Sequence, residues 1–147
     1  MSDRIHVVCP DCSGVNRVPA DRLGEAPVCG KCRAPLFQGH PVALGAATFA
    51  AHVERGDLPV IVDFWAPWCG PCRTMAPAFE RAAADLEPRV RLAKVDTQAE
   101  PALAARFGIR GIPTLVAFRG GREVARQAGA MDAAGIVSWV RAVLSRP

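Results

Sequence analysis

Trp65-Ala66-Pro67-Trp68-Cys69-Gly70-Pro71-Cys72 decides how the chain is read, because it carries two cysteines across the end of one predicted element and the start of the next. Val60 to Trp65 is an apolar run broken once, by Asp63, and has the length of a buried strand. Met75, Ala76, Phe79, Ala82, Ala83 and Leu86 then recur at helical spacing, so a helix is expected over Gly70 to Leu86 with Pro77 inside it. Cys69 falls at or beside the helix N-cap, where unpaired amides and a partial charge of about +0.5 favour a thiolate over a thiol. Cys72 follows one turn later on the same face, close enough to form a disulfide with Cys69. A dithiol that opens and closes at a helix start is a redox device.

Working outward, strand and helix patterns alternate. Val42 to Leu44 reads as a short strand, Thr48 to Arg55 as a helix, Arg91 to Val95 as a strand and Pro101 to Phe107 as a short helix. Thr114 to Phe118 and Glu123 to Gln127 flank Arg119-Gly120-Gly121-Arg122, whose paired glycines suit a tight hairpin turn. Asp132 is placed to cap a last helix running to Leu144, with Ile136, Trp139, Val140, Val143 and Leu144 as its buried stripe. A βαβ unit followed by a ββα unit predicts an α/β fold, a mixed central sheet with helices on both faces.

Residues 1–37 differ from the rest. They hold four of the six cysteines and few large apolar residues, and a segment of about 40 residues seldom folds on hydrophobic burial alone. Cys9-Pro10-Asp11-Cys12 and Cys29-Gly30-Lys31-Cys32 are separated by sixteen residues, which fits the template of a four-cysteine zinc site. We expect one structural zinc ion on Cys9, Cys12, Cys29 and Cys32, with His6 and His40 as bystanders. Metal binding of about 10–16 kcal/mol can fold a segment that its apolar content cannot. Arg4, Arg17, Lys31 and Arg33 are the expected offsets to the thiolate charge. The expected organisation is a zinc-ribbon-like domain at 1–37, a linker at 38–41 and a second domain at 42–147. The competing idea for the ribbon is that oxidants replace the metal with disulfides.

The chain has 147 residues, half of them hydrophobic, enough for one ordinary core and a small appendage. Its N-terminus shows no apolar stretch of the about 7–15 residues typical of a secretory signal. No run reaches the roughly 18 apolar residues of a membrane span, so a cytoplasmic protein with no membrane partner is expected. Six cysteines in that compartment point to metal binding or redox catalysis rather than a disulfide scaffold. The formal charge of +4 falls to +2 once four thiolates hold one zinc, and the basic residues form no stripe. Nucleic acid is therefore not an expected partner, and a monomer is.

Asp63 is ambiguous from its own surroundings. A carboxylate inside an apolar strand is costly unless paired or protonated, so it is either a proton acceptor near the dithiol or a strand-end group bonded to backbone. For Ile112-Pro113 the frequency of cis X-Pro bonds, about 5–6%, argues for trans.

Asp63-Phe64-Trp65-Ala66-Pro67-Trp68-Cys69-Gly70-Pro71-Cys72, followed by Gly108-Ile109-Arg110-Gly111-Ile112-Pro113-Thr114, resembles the thioredoxin family over about residues 42–147. With the N-terminal cysteines, the whole chain resembles the zinc-binding thioredoxin 2 type. That resemblance implies a thioredoxin fold and a protein-disulfide reductase with no organic cofactor. Its partners would be disulfide-containing client proteins and an NADPH-dependent thioredoxin reductase. It implies that Cys69 attacks the client, that Cys72 resolves the mixed disulfide, that Asp63 relays the proton and that Lys94 tunes Asp63. It further implies a cis bond before Pro113 and a client-binding rim of Trp68, Gly70, Pro71, Gly111, Ile112, Pro113 and Gly129. Pro71 has no N–H to give the Cys69 thiolate, which favours a reductant over an oxidase or isomerase. The alternative function is a zinc-ribbon binding or redox-sensing module with the second domain as scaffold.

Overall fold

The computed structural model describes residues 3–146; residues 1, 2 and 147, the outer ends of the two expected domains, lie outside the described residues. The core is a five-stranded sheet built from β3 (Val42–Ala43), β4 (Val60–Trp65), β5 (Arg91–Asp96), β6 (Thr114–Arg119) and β7 (Arg122–Ala128), and it is preceded by a hairpin of β1 (Arg4–Val8) and β2 (Val15–Pro19). The sheet order is β3-β5-β4-β6-β7, with β3 and β4 parallel to β5 and β6 antiparallel to both β4 and β7. β4 is the central strand. Its residues Val60, Ile61, Val62 and Phe64 are all buried because helices cover both faces, which explains an apolar run without alternation.

One face, carrying Ile61, Leu92, Leu115 and Ala117, packs against α1 (Gly70–Leu86) and α3 (Ala133–Leu144) through Met75, Phe79, Ala82, Ala83, Ile136, Val140 and Val143. The other, carrying Val60, Val62, Phe64 and Val116, packs against Phe49, Val53 and Leu103, the last from α2 (Pro101–Arg106). Phe49, Phe64, Phe107 and Phe118 form an aromatic cluster there, with ring centroids 5.3–6.0 Å apart. α1 continues through Pro77. Asp132 caps α3 as expected, its carboxylate accepting from the Gly135 amide at 2.7 Å. Gly120 and Gly121 both have positive φ, 60° and 78°, the backbone that a two-residue hairpin turn requires.

Several expectations change. The helix expected over residues 48–55 forms over residues 49–55, its Ala51–Arg55 part as a π-helix. Trp139 and Leu144 of the expected α3 stripe are only partly buried. The N-terminal segment contains a β-hairpin the sequence reading did not expect, with Arg4 opposite Pro19 and Val8 opposite Val15. Within residues 38–41 the Gly39 amide donates to Glu87 Oε1 at 2.7 Å.

That contact belongs to a buried joint. Arg91, 3% exposed, donates from Nη2 to the carbonyls of Val8 (3.0 Å) and Leu36 (2.9 Å) and from Nη1 to Glu87 Oε2 (3.1 Å). Its guanidinium lies 5.0 Å from the Phe37 ring centroid. Asp57 adds a second clasp, accepting from the His6 amide at 2.6 Å and lying 3.0 Å from His6 Nδ1. Leu58 packs against the cluster of Val7, Cys9, Val18, Cys29 and Leu36. Buried beside Arg91 in the same joint, His52 has no hydrogen-bond partner on either ring nitrogen among the described residues, and burial first and Arg91 second push its pKa down to about 4.

Candidate active site and metal centre

β4 ends at Trp65 and α1 begins at Gly70, so the turn between them sets the dithiol. Cys69 is the N-cap of α1 with extended backbone (φ −84°, ψ 113°), and its sulfur accepts from the Cys72 amide at 3.2 Å. Pro71 supplies no amide, which leaves the sulfur that one helix donor. Cys69 and Cys72 are joined by a disulfide, their Cα atoms 5.3 Å apart. Both cysteines are buried, Cys69 4% and Cys72 1% exposed. Ala66, Trp65 and Ile112 pack around them.

The segment before β6 closes the site from the side. The Ile112–Pro113 bond is cis, and the Ile112 carbonyl oxygen lies 3.8 Å from Cys69 Sγ. Thr114 Oγ1 donates to the Gly111 carbonyl at 2.5 Å, and the Gly129 amide donates to the Pro113 carbonyl at 2.9 Å, which fixes the loop. Around the disulfide, Trp68 is 70% exposed, and Gly70, Pro71, Gly111 and Gly129 are exposed as well. Ile112 is half-buried against the disulfide, and Pro113 is buried.

Asp63 sits on the face of β4 shared by Ile61 and Trp65, the face that α1 covers. It is 1% exposed, and neither carboxylate oxygen has a hydrogen-bond partner among the described residues. The reading of Asp63 as a group satisfied by backbone is therefore wrong. Burial pushes its pKa up to about 7, opposed by the positive charge of Lys94. Lys94 stands opposite Asp63 in the register and is half-buried; its Nζ lies 4.4 Å from the Trp65 ring centroid, and no ion pair among the described residues joins it to Asp63.

The raised pKa has a stability consequence. A carboxyl shifted up in the folded state contributes stability that is intact below its unfolded value of 3.8 and is lost as pH rises through about 7. Asp63→Asn is expected to stabilise the protein at pH 8 by on the order of 4 kcal/mol and to change little at pH 4. Urea unfolding at the two pH values reads this, and equal effects at both would refute it.

The four N-terminal cysteines come together as two copies of one turn. The Cys9 amide donates to the Gly14 carbonyl and the Cys29 amide to the Ala34 carbonyl, both at 2.8 Å. Ser13 and Arg33, each directly after its second cysteine, take positive φ of 61° and 70°. The four sulfurs lie within 4.8 Å of one another, with Cys9 to Cys32 at 3.6 Å and Cys12 to Cys29 at 3.7 Å. Tetrahedral zinc at about 2.3 Å from each sulfur would set such distances near 3.8 Å, so the residues fit the ion. The amides of Asp11, Gly14 and Lys31 each donate to a cysteine sulfur at 3.4 Å, and Asn16 Nδ2 reaches Cys29 Sγ at 3.5 Å. Such donors favour thiolates, the form zinc takes. His6 lies outside this cluster, bonded to Asp57. Sequence reasoning missed Arg91 as a cation near the site: burial pushes its pKa down, and Glu87 first and Cys9 second oppose that.

A disulfide at the start of a helix, over a buried carboxyl and beside a cis-proline loop, defines a thiol-disulfide oxidoreductase. Residues 40–142 match the Thioredoxin family model, and the chain belongs to that family. Residues 8–34 match the model described as Thioredoxin 2, N-terminal, which makes the first part a zinc ribbon. Relatives include Thioredoxin C-3 of Corynebacterium nephridii, 42% identical over 134 residues that span 91% of this chain and 92% of the relative. Thioredoxin of Porphyra purpurea is 41% identical over 67% of this chain and 92% of its own length. Thioredoxin of Rhodospirillum rubrum is 43% identical over 65% of this chain and 92% of its own length.

Proposed function

We propose that the chain reduces disulfides in client proteins through Cys69 and Cys72 and is recharged by an NADPH-dependent thioredoxin reductase in the cytoplasm. The observation that carries this reading is the N-cap disulfide on the Asp63 face of the sheet, where a buried carboxyl without partners can take a proton. In the reduced protein the Cys69 thiolate attacks one sulfur of the client disulfide, forms a mixed disulfide and expels the other sulfur as a thiolate. Cys72 passes its proton to Asp63 and attacks Cys69. The Cys69–Cys72 bond forms, the second client thiolate leaves, and the client gains two electrons while the dithiol loses two. Protons from Asp63 and solvent complete the client thiols.

Trp68, Gly70, Pro71, Gly111, Ile112, Pro113 and Gly129 form the surface against which an extended client segment lies, with the Ile112 backbone pairing to it as an added strand. Lys94 adjusts Asp63. A Cβ at Gly70 would meet nothing within 4 Å, so open space lies beside the disulfide on that side. Among the described residues no helix is long and apolar enough to cross a membrane. We assign 1–37 to the zinc ribbon, 38–41 to the connection and 42–147 to the catalytic domain. Cys9, Cys12, Cys29 and Cys32 hold one zinc ion, whose role is to fold the ribbon.

The test is turnover of a disulfide-bonded protein substrate with thioredoxin reductase and NADPH. Sustained NADPH consumption is expected, and none would overturn the reading in favour of a binding or sensing module. Redox titration should find a potential near the about −270 mV known for thioredoxin, whereas a value near −120 mV would mark an oxidase. Metal analysis of the same preparation should return one zinc per chain, and Cys12→Ser should lower that content.

A further inference from the structure

We propose that Trp65 is a positioning residue for the Asp63 carboxyl: its indole ring holds the Lys94 ammonium and withholds from Asp63 the ion pair that the strand register offers. The functional meaning of this rests on the reading of Asp63 as proton acceptor; the geometry does not.

β4 and β5 run parallel with Asp63 opposite Lys94 and Trp65 opposite Asp96. Neighbouring strands are about 4.8 Å apart, so a lysine stem rooted opposite Asp63 can reach either the carboxylate or the ring two residues along on the same face. The ammonium takes the ring, at 4.4 Å from its centroid, and no ion pair among the described residues joins it to Asp63. Both end states are good for a cation, since an aromatic face attracts it through the ring quadrupole. They differ for the carboxyl. With a cation in contact, a carboxylate binds its proton more weakly, and a general base needs a proton affinity near that of the group it serves.

The other groups facing Asp63 do not replace Lys94. Asp96 is occupied, its Oδ1 accepting from the amides of Gln98 (2.9 Å) and Ala99 (3.2 Å). On β6 the residue opposite is Leu115, with Ala117 next on that face. α1 contributes the sulfur of Cys72 and the apolar Met75 and Phe79, and α3 contributes Ile136 and Val140. Lys94 is thus the cation whose placement sets Asp63, and Trp65 sets that placement. Trp65 has a structural reading as well, as support for the disulfide loop. The experiment must separate the two.

A double-mutant cycle does so. Asp63 is titrated by carboxyl 13C NMR in the oxidised full chain for wild type, Trp65→Leu, Lys94→Met and the double variant. Trp65→Leu is expected to lower the Asp63 pKa by about one to three pH units while Lys94 is present, the range for a carboxyl gaining a cation in contact. In the Lys94→Met background the shift should be less than half as large, because only the change in burial remains. Equal shifts in the two backgrounds would overturn the proposal. Trp65→Phe, which keeps a weaker aromatic face, should give an intermediate shift and stands in if Trp65→Leu does not fold. Wild type gives a direct reading: the Lys94 Hε resonances should be moved upfield by the indole ring, and random-coil positions would refute the contact. Should Asp63→Asn leave client reduction and its pH profile unchanged, the proton-acceptor reading fails while the coupling of Trp65, Lys94 and Asp63 is judged by NMR alone.

Discussion

Cys72→Ser is expected to abolish turnover and to leave the protein joined to its clients through Cys69. The first attack needs only Cys69, whose sulfur lies 3.2 Å from the Cys72 amide, a backbone donor that serine retains. Release needs a second sulfur, and in the native protein that step is intramolecular. Well-placed intramolecular groups act at effective molarities of about 10⁵–10⁸ M, so a client's own thiols resolve the adduct far more slowly, and turnover should fall by at least about 10³-fold. Non-reducing electrophoresis of the variant after mixing with oxidised substrate should show a stable adduct that dithiothreitol reverses. Cys69→Ser should form none. Adducts of equal yield from both variants would reverse the assignment of attacking and resolving sulfurs.

Arg91→Met should cost on the order of 3–5 kcal/mol of stability, the range for removing one member of a buried ion pair. The loss has three parts: the carboxylate of Glu87 is left in the joint without its cation, and the carbonyls of Val8 and Leu36 each lose a donor. Burial already holds the Glu87 pKa above its ordinary value despite the Gly39 amide and Arg91, so the variant's Glu87 should take up a proton. Urea unfolding in zinc-containing buffer measures the effect. Adding Glu87→Gln should recover part of it, because the two residues share one interaction and their effects do not add. A loss under about 0.5 kcal/mol, that of an ordinary surface site, would mean that the joint is loose in solution.

The catalytic half of the fold was legible because its sequence signals are local. β4 and α1 begin and end where the apolar run and the helical spacing put them, and Asp132 and the Gly120-Gly121 turn carry their own capping and turn chemistry. The joint was not legible, because its partners are distant in sequence. Arg91 at the head of a strand reads as a solvated end, and it is buried only because Val8 and Leu36, 83 and 55 residues away, arrive over it. His6 reads as a bystander to the metal, and its pairing with Asp57 spans 51 residues. The β1–β2 hairpin escaped for a different reason: with Val7, Val8 and Val18 its only buried members, it has too little apolar patterning to signal a strand. Asp63 shows where sequence reasoning stops. Its residue type and neighbours allowed two readings, and the backbone-bonded one fails only against the hydrogen bonds of the folded chain.

The repeated turn at the two cysteine pairs bears on how the ribbon tolerates change. Each turn fixes its own pair through its own backbone bonds, and of the sixteen residues between Cys12 and Cys29 it is the stretch after β2 that spans from the hairpin to the second turn. Closing a flexible spacer costs entropy that grows only with the logarithm of its length, about 0.6 kcal/mol for a doubling. Gly24, Glu25 and Ala26 lie exposed within it, beyond the end of β2. Extra residues accepted there would leave both halves intact, which makes that bend the place where relatives of this chain can differ in length at little thermodynamic penalty.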